Sequence, residues 1–227
     1  MKKIMIFYAA YGGGHLSAAR SIKECLETNY SDVETTLIDC MEYVNKTFNK
    51  VTTKAYAEMA KKVPNAWGRL YWKSQKGPIA QISTASNILL SKKLYKLLDS
   101  FNPDIIISTH PFASQMCAYL KKQEKLSAKI ATVMTDYAPH DQWLVFNQYV
   151  DYYFVSHEGM KQQLHSKGIP NEKIFATGIP LSNKFLLKYD KSQILESFGL
   201  SPNRKTVLFF GGGEFGLGKK QTFNIFK

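Results

Sequence analysis

Three histidines stand directly after apolar runs of the sequence, at points where strands of a sheet are expected to end. His15 follows three consecutive glycines in the stretch YGGGH, and His110 lies in the stretch STHPF. His140 lies in TDYAPHDQW, which also contains the carboxylates of Asp136 and Asp141. A histidine whose pKa is near neutrality can accept the proton of a hydroxyl group as that hydroxyl attacks. The pattern therefore predicts general-base chemistry at one edge of a sheet.

Each of these residues also has an ordinary structural explanation. The glycines can form a tight turn at which His15 simply begins a helix, and an Asp after a strand commonly caps the next loop or helix. Asp136 is thus open to three roles: a cap, a partner for an acceptor hydroxyl, or a partner that orients His15. Zinc is not expected, because the histidines lack HxxxH and HExxH spacing, and no metal site is predicted.

Two glycine-rich loops follow apolar runs, and neither matches a standard nucleotide-binding motif. In the first loop, Ser17 stands where the motif GxGxxG needs its last glycine. The second loop, GGGEFGLGKK at residues 211–220, resembles a Walker A loop in which Lys220 replaces the magnesium-binding Ser or Thr. Backbone N–H groups and lysines can still bind a pyrophosphate without metal. The second loop is therefore predicted to bind a diphosphate, which leaves the first loop for another ligand.

Alternating apolar runs and helical patterns position these residues. Strands are predicted at residues 3–9, 33–39, 104–108, 129–135, 151–156, 174–177 and 206–210, with helical periodicity between most of them. The alternation predicts an α/β fold with a Rossmann-like, doubly wound parallel sheet. A polar stretch separates the last strand from the others. We therefore expect one domain at residues 1–182, and a linker with the incomplete start of a second Rossmann-like domain at residues 183–227.

The chain carries a large excess of positive charge. Its 30 Lys and Arg residues against 18 Asp and Glu give a net charge of +12, which favours a polyanionic partner. No nucleic-acid reader motif accompanies the charge, so no nucleic-acid partner is predicted. No apolar run is long enough to span a bilayer, and no cleavable signal is recognised. We expect a protein of the cytosol whose basic surface meets phosphorylated ligands or anionic lipid.

One stretch, residues 43–76, places lysines and arginine among aromatic and aliphatic residues. Trp and Tyr rings suit the headgroup depth of a membrane, where neighbouring cations meet anionic lipid. The same pattern also fits an ordinary amphipathic helix that packs on the sheet with its lysines in water. The residues predicted to contact a membrane are Lys61, Lys62, Trp67, Arg69, Tyr71 and Trp72.

Six motifs, spread in order over nearly the whole chain, together resemble one family. They are YGGGH (residues 11–15), STHPF (108–112), TDYAPHDQW (135–143), VSHEGMKQQL (155–164), ATGIP (176–180) and FGGGEFGLGKK (210–220). This set is similar to the monogalactosyldiacylglycerol synthases and bacterial processive diacylglycerol β-glucosyltransferases of glycosyltransferase family 28. Six ordered motifs are far more specific than a single glycine loop.

The resemblance implies a GT-B architecture, in which a first Rossmann-like domain binds the lipid acceptor and a second binds the UDP-sugar. It implies an inverting transfer of a hexose to the 3-hydroxyl of 1,2-diacylglycerol, with His15 accepting the hydroxyl proton and Asp136 with His140 supporting it on the acceptor side. The acceptor-binding residues implied are Gly13, Gly14, His110, His140 and Trp143. The donor-binding residues implied are Gly211, Gly212, Gly213, Glu214, Gly216 and Gly218.

The resemblance also implies partners and a location. The partners are diacylglycerol, a UDP-sugar as donor substrate and anionic membrane lipids, with no metal or other cofactor, at the cytoplasmic face of the cell membrane. Glucose is favoured as the hexose because the sequence looks bacterial, being rich in Lys and without a transit peptide. Members of the family carry a further part that holds most of the donor, so little transfer is expected from residues 1–227 alone.

Two alternatives remain open from the sequence. One is a related N-acetylglucosaminyltransferase whose acceptor is an undecaprenyl-linked muropeptide. The other is a non-catalytic fragment that binds membranes through its basic surface. The identity of the hexose, the number of sugars added and the oligomeric state are not determined by the sequence.

Overall fold

The computed structural model describes residues 1–62, 77–208 and 224. The chain divides into two compact units, residues 1–182 and residues 183–227. The strands of the first unit are β1 (Lys2–Tyr8), β2 (Val33–Asp39), β3 (Ile105–Ser108), β4 (Lys129–Val133), β5 (Tyr152–Val155) and β6 (Ile174–Ala176). Its described helices are α1 (Gly13–Asn29), α2 (Cys40–Lys62), α3 (Pro78–Phe101), α4 (Pro111–Lys122) and α5 (Glu158–Ser166). In the second unit, α6 (Lys191–Ser197) follows a short 3-10 helix, Asn183–Leu186.

The strands form one parallel sheet with the order β2-β1-β3-β4-β5-β6. In the register, Ile6 of β1 lies between Leu37 of β2 and Ile107 of β3. The continuous apolar sequence of β1 suits this inner position, because a strand covered on both faces needs apolar side chains on both. The predicted α/β class and Rossmann-like parallel sheet are confirmed.

Helices cover the two faces of the sheet unequally. Met5 and Phe7 of β1 face the main core, to which α2, α3, α4 and α5 contribute buried side chains. Ile4 and Ile6 point to the opposite face, where they pack with Ala19 of α1. Side chains alternate along each strand, so every second residue of the other strands also lies on the face that carries α1. We call this second surface the α1 face.

The strand order creates a switch point between β1 and β3. From β1 the chain proceeds to β2 on one side, whereas β3 and the later strands lie on the other side. In open α/β sheets, ligands bind at such a point, beyond the carboxyl ends of the strands. The segments after β1, β3 and β4 carry His15, His110 and His140, so the parallel topology brings the predicted histidine-bearing loops to one rim.

The first six predicted strands are confirmed with small changes at their ends. The seventh, predicted at residues 206–210, is not confirmed: residues 206–208 have no regular structure, and residues 209 and 210 lie outside the described part of the chain. Val207 and Leu208 are each 72% exposed. A parallel strand forms only against a neighbouring strand, and in the described ranges these residues have none.

The stretch predicted to contact membranes begins in α2. Asp39 caps this helix, its carboxylate accepting the N–H groups of Met41 and Glu42 at 3.0 and 3.1 Å, and Asn45 kinks it with φ −160° and ψ 86°. Lys61 and Lys62 end α2, while Trp67, Arg69, Tyr71 and Trp72 lie outside the described residues. None of the helices in the described ranges is both long and apolar enough to cross a membrane.

Candidate active site

The loop between β1 and α1 uses its three glycines differently. Gly12 precedes α1 with φ 86°, a conformation that strains residues with a side chain, so the turn itself requires this glycine. Gly13 and Gly14 are exposed helical residues, and a Cβ added to either meets no atom of the described residues within 4 Å. The first N–H groups of a helix have no partner within the helix. Gly13 and Gly14 therefore open a space in which a ligand can approach these N–H groups.

His15 follows in the first turn of α1, and its hydrogen bonds fix its tautomer. Nδ1 lies 2.6 Å from the backbone oxygen of Thr109 and 3.0 Å from Oγ1 of Thr135. A carbonyl oxygen only accepts hydrogen bonds, so Nδ1 carries the proton and donates it. Nε2 then holds the lone pair of the neutral ring, and no described residue forms a hydrogen bond with it. A basic nitrogen is thus available to a ligand.

Thr109 holds this histidine rigidly between β1 and β3. The N–H of Thr109 donates to the backbone oxygen of Phe7 at 2.9 Å, and its Oγ1 donates to the backbone oxygen of His15 at 2.9 Å. Backbone and ring of His15 are therefore both bound to one residue. A base held in one orientation before a ligand arrives needs no rearrangement during reaction.

Burial lowers the pKa of His15 below its ordinary value of 6.5. The hydrogen bond to Thr109 and the negative charge of Asp136 act in the opposite direction but do not outweigh burial. The position in the first turn of α1 acts with burial, because the positive end of a helix disfavours an imidazolium. His15 is therefore neutral, and able to accept a proton, at neutral pH.

His110 lies beside His15 in the opposite tautomer. It caps α4, and its Nδ1 accepts the N–H of Phe112 at 3.3 Å, so the proton of the neutral ring lies on Nε2. The two imidazole rings meet edge to face with centroids 4.6 Å apart. Burial, and then the neighbouring His15, hold the pKa of His110 well below its ordinary value. The neighbouring rings therefore differ at Nε2, which is an acceptor in His15 and a donor in His110.

Aromatic neighbours fix the ring of His110. Tyr11 stacks on it with centroids 5.4 Å apart, and Phe112 meets it edge-on at 4.5 Å. The hydroxyl of Tyr11 lies 2.6 Å from Oγ1 of Thr52 in α2. Tyr11 thus links the site to α2 as well as to α4.

Asp136 follows β4 and acts on His15 through its charge. Its Oδ2 accepts the Nε1–H of Trp143 at 2.9 Å, and its backbone oxygen accepts the hydroxyl of Ser156 at 2.9 Å. Thr109, and not Asp136, accepts the proton of His15 Nδ1. The negative charge of Asp136 nevertheless raises the pKa of His15, as is needed to stabilise an imidazolium that forms during proton transfer.

Trp143 lies in a short 3-10 helix, Asp141–Leu144, within the core. Its side chain is 1% exposed. Direct contact of Trp143 with an acceptor stays a prediction, whereas the structure shows the indole within the core. It holds the carboxylate of Asp136 through Nε1.

His140 belongs to the same supporting loop. Its Nδ1 accepts the N–H of Gln142 at 3.2 Å, which caps the 3-10 helix. Gln142 accepts the amide of Gln115 at 2.7 and 2.9 Å, and Gln115 accepts the amide of Asn87 at 2.7 Å. These buried amides tie the loop to α3 and α4. Direct contact of His140 with an acceptor stays a prediction.

The remaining predicted site residues lie outside the described part of the chain. They are the donor-binding residues Gly211, Gly212, Gly213, Glu214, Gly216 and Gly218. Within the described ranges, no group of three or more His, Cys, Asp or Glu side chains could hold a metal ion.

The sequence analysis missed Thr109 and Thr135, the two residues that orient His15. Both lie two positions beyond a residue of the α1 face, Ile107 in β3 and Val133 in β4. Because side chains alternate along a strand, this spacing predicts that both threonines point toward α1. Strand alternation, extended past the strand ends, is the signal that could have found them.

Comparison with known proteins finds relatives whose sequences match nearly the whole chain. Processive diacylglycerol beta-glucosyltransferases of Staphylococcus epidermidis and Staphylococcus saprophyticus are 30% and 31% identical to it over 219 and 220 residues, 96% of this chain. A protein of the same name from Bacillus cereus is 28% identical over 217 residues, 95% of this chain. The chain spans about half the length of these relatives, 54% in each case.

Solved structures share the fold at low sequence identity. A UDP-N-acetylglucosamine 2-epimerase from Rickettsia bellii matches with a TM-score of 0.51 and 16% identity, over 89% of this chain and 52% of that one. The complex of S. aureus MnaA with UDP matches with a TM-score of 0.50 and 16% identity, over 88% and 52%. At this identity, the likeness establishes the architecture alone.

The family model named monogalactosyldiacylglycerol (MGDG) synthase matches residues 15–181. This range includes His15, His110 and Asp136, and it ends one residue before the first compact unit ends. The chain belongs to the MGDG synthase family.

Proposed function

We propose that this chain is the acceptor-binding half of an inverting glycosyltransferase that makes a membrane glycolipid. The whole protein would move a hexose, glucose, from a UDP-sugar to the 3-hydroxyl of 1,2-diacylglycerol. Membership of the MGDG synthase family supports the reaction class. The name of the Staphylococcus epidermidis relative, a processive diacylglycerol beta-glucosyltransferase, supports the acceptor and the sugar.

The single observation that carries the catalytic proposal is Nε2 of His15, with which no residue in the described ranges forms a hydrogen bond. With its Nδ1 proton donated to Thr109, His15 has one nitrogen with which to take the proton of an acceptor hydroxyl. As that proton moves to Nε2, the hydroxyl oxygen forms a bond to the anomeric carbon, and the bond from this carbon to UDP breaks. Attack opposite the leaving group inverts the anomeric configuration.

The groups around His15 also favour proton transfer to its Nε2. The imidazolium formed at His15 is positive, and the carboxylate of Asp136 and the carbonyl of Thr109 both stabilise that form. Burial disfavours it before reaction, which keeps the base free of a proton. His15 is thus neutral when the acceptor binds, and its charged state has two nearby partners once it forms.

His110 and the first turn of α1 supply donors for the acceptor. The ring of His110 lies beside that of His15, and its Nε2–H would donate to an oxygen of the glycerol group. The exposed N–H groups at Gly13 and Gly14 can donate to another oxygen. Donors near His15 would hold the hydroxyl in position for attack.

The proposal also includes a site for the UDP-sugar donor and a contact with the membrane. We assign the UDP diphosphate to the glycine loop at residues 211–218, with no metal or other cofactor. The net charge of +12 supports attachment to anionic lipid as a peripheral protein at the cytoplasmic face of the membrane. The basic and aromatic stretch that begins in α2 is the proposed contact, with the residues named from the sequence.

A hybrid protein tests this function. Residues 1–227 are joined to the remaining half of the Staphylococcus epidermidis relative, and labelled hexose is followed from UDP-glucose into lipid. We expect transfer to diacylglycerol by the hybrid and little or no transfer by residues 1–227 alone. Transfer only to an undecaprenyl-linked muropeptide would contradict the proposed acceptor. Transfer by the isolated chain would contradict the proposed division of labour.

Gly14→Ala is expected to improve the fold and weaken the function. An added Cβ meets no atom within 4 Å, and alanine is favoured over glycine in a helix by about 0.5–1 kcal/mol, so urea unfolding should shift to higher concentration. In the hybrid, the methyl group occupies the space proposed for the acceptor and raises its KM. Gly12→Ala is the control, because φ 86° at that position predicts lower stability instead. An unchanged KM for the acceptor in Gly14→Ala would contradict the proposal that the acceptor binds at this loop.

A further inference from the structure

An apolar pocket lies on the α1 face of the sheet. Its volume is about 190 Å³, and it lies between Ile22 of α1 and four strand residues, Ile107, Ala131, Val133 and Phe154. Two residues that follow β6, Thr177 and Pro180, form its remaining edge. Among the residues that the structure describes, no charged side chain lines it, although the chain as a whole carries a charge of +12. Only an apolar group gains by entering such a pocket.

Two residues that line the pocket lie close along their strands to the threonines that bind His15. Ile107 and Val133 stand two residues before Thr109 and Thr135, the residues that bind His15 Nδ1. Two residues along a strand cover about 7 Å and return to the same face. The floor of the pocket therefore runs along β3 and β4 directly to the side chains around the base.

The wall of the pocket leads to the same place along α1. Ile22 is seven residues beyond His15, which is close to two full helical turns, so both side chains face the same side of the helix. The distance along the axis is about 10 Å. Along both the strands and α1, the residues that line the pocket therefore lie about 7–10 Å from His15 and from the threonines that bind its Nδ1.

An aromatic surface extends the pocket away from the base. Phe175 of β6 stacks with Phe154 at 5.4 Å between centroids and meets Tyr152 at 6.2 Å. Tyr152 and Phe175 are 40% and 41% exposed. The α1 face thus offers an apolar path from the base, past Val133 and Phe154, to exposed rings at β5 and β6.

We propose that this pocket binds an acyl chain of the acceptor lipid, with the lipid hydroxyl at His15. The proposal rests on the proposed function and specifies where the substrate's hydrocarbon lies. The volume supports a narrow ligand, because sites for drug-sized molecules measure roughly 300–1,000 Å³. The pocket accepts part of one chain, and the aromatic surface covers the next part of it.

Photo-crosslinking with the chain itself tests the proposal. Residues 1–227 are mixed with vesicles of phosphatidylcholine and phosphatidylglycerol that contain one of two diacylglycerol probes. The first probe carries a diazirine in the middle of an acyl chain, and the second carries it beside the ester group. We expect the mid-chain probe to label Ile107, Val133 or Phe154, and the ester probe to label residues near His15.

Variants that fill the pocket make the test specific. Ile22→Trp places a larger ring in it, and Thr177→Trp fills it from an exposed position that does not endanger the fold. Each buried methylene group strengthens apolar binding by about fourfold, so mid-chain labelling should fall by at least that factor in both variants. Ile82→Trp, on an exposed position of α3, is the matched control and should label like the unmodified chain.

The labelling patterns of the two probes distinguish failure of the acyl-chain pocket from failure of the proposed function on which it rests. Ester-probe labelling near His15 together with mid-chain labelling elsewhere would overturn the acyl pocket and leave the proposed acceptor site standing. Absence of labelling at both places would overturn both. A pocket closed by a segment of polypeptide would show no labelling of its lining residues, which would also overturn the proposal.

Discussion

His15→Ala is expected to lower hexose transfer to diacylglycerol by about 10²- to 10⁴-fold in the hybrid protein, the range over which general bases contribute. The reason is that Nε2 of His15 is the basic nitrogen the site presents, with its tautomer set by Thr109. Initial rates with labelled UDP-glucose measure the loss. Binding of UDP-glucose, followed by calorimetry, should not change, because the substitution lies on the acceptor side.

Two further variants distinguish the loss of the base at His15 from the general effect of replacing a histidine. His15→Asn retains an N–H group where Nδ1 lies and can still donate to Thr109, but it has no base at Nε2, so its loss of rate should match that of alanine. His165→Ala removes an exposed histidine whose Nδ1 also lies near a backbone oxygen, that of Ile169, at 3.1 Å. It should keep the full rate. Near-normal transfer by His15→Asn would reject the role of general base.

The pH dependence of the reaction independently tests whether His15 is the general base. Burial lowers the pKa of His15 below 6.5, so its neutral form persists as the pH falls through that value. The acid limb of kcat/KM, which reports the free protein, should therefore have its midpoint below pH 6.5. A midpoint above 6.5 would mean that another group, or a differently placed His15, controls the rate.

The fold was predictable from the sequence where local pattern decides it. A continuous apolar run predicts a strand covered on both faces, and β1 with four fully packed residues is such a strand. The same reasoning fails at residues 206–208, whose apolar sequence forms no strand in the described part of the chain. Strand formation needs a partner, and a pattern within one segment does not show whether the partner is present.

The site was predictable in its types of residue but not in its contacts. Spacing after the strands placed His15 and His110 on one rim, and the structure brings their rings together. The partner of His15 Nδ1 is a backbone oxygen, which no side-chain pattern reveals. The sequence pattern around Trp143 does not show that its indole packs in the main core, which only the structure reveals.

Trp143→Ala is expected to cost about 3–5 kcal/mol of unfolding free energy, as large-to-small changes at buried aromatic residues do. The indole is 1% exposed and packs in the main core. Urea unfolding of residues 1–227, followed by circular dichroism, measures the change. Leu89→Ala, at a residue of α3 that is 67% exposed, is the control and should change stability by less than about 0.5 kcal/mol.

Trp143→Phe tests the hydrogen bond that connects Trp143 in the core to Asp136 near His15. Phenylalanine fills most of the space but cannot donate to Oδ2 of Asp136, and losing a hydrogen bond to a charged group costs about 1.5–3 kcal/mol. The freed carboxylate would no longer be fixed near His15, whose pKa it raises. The pKa of His15, followed by NMR, should therefore change in Trp143→Phe and stay constant in Leu89→Ala. An unchanged pKa, with stability lowered, would show that Trp143 supports the core without positioning Asp136.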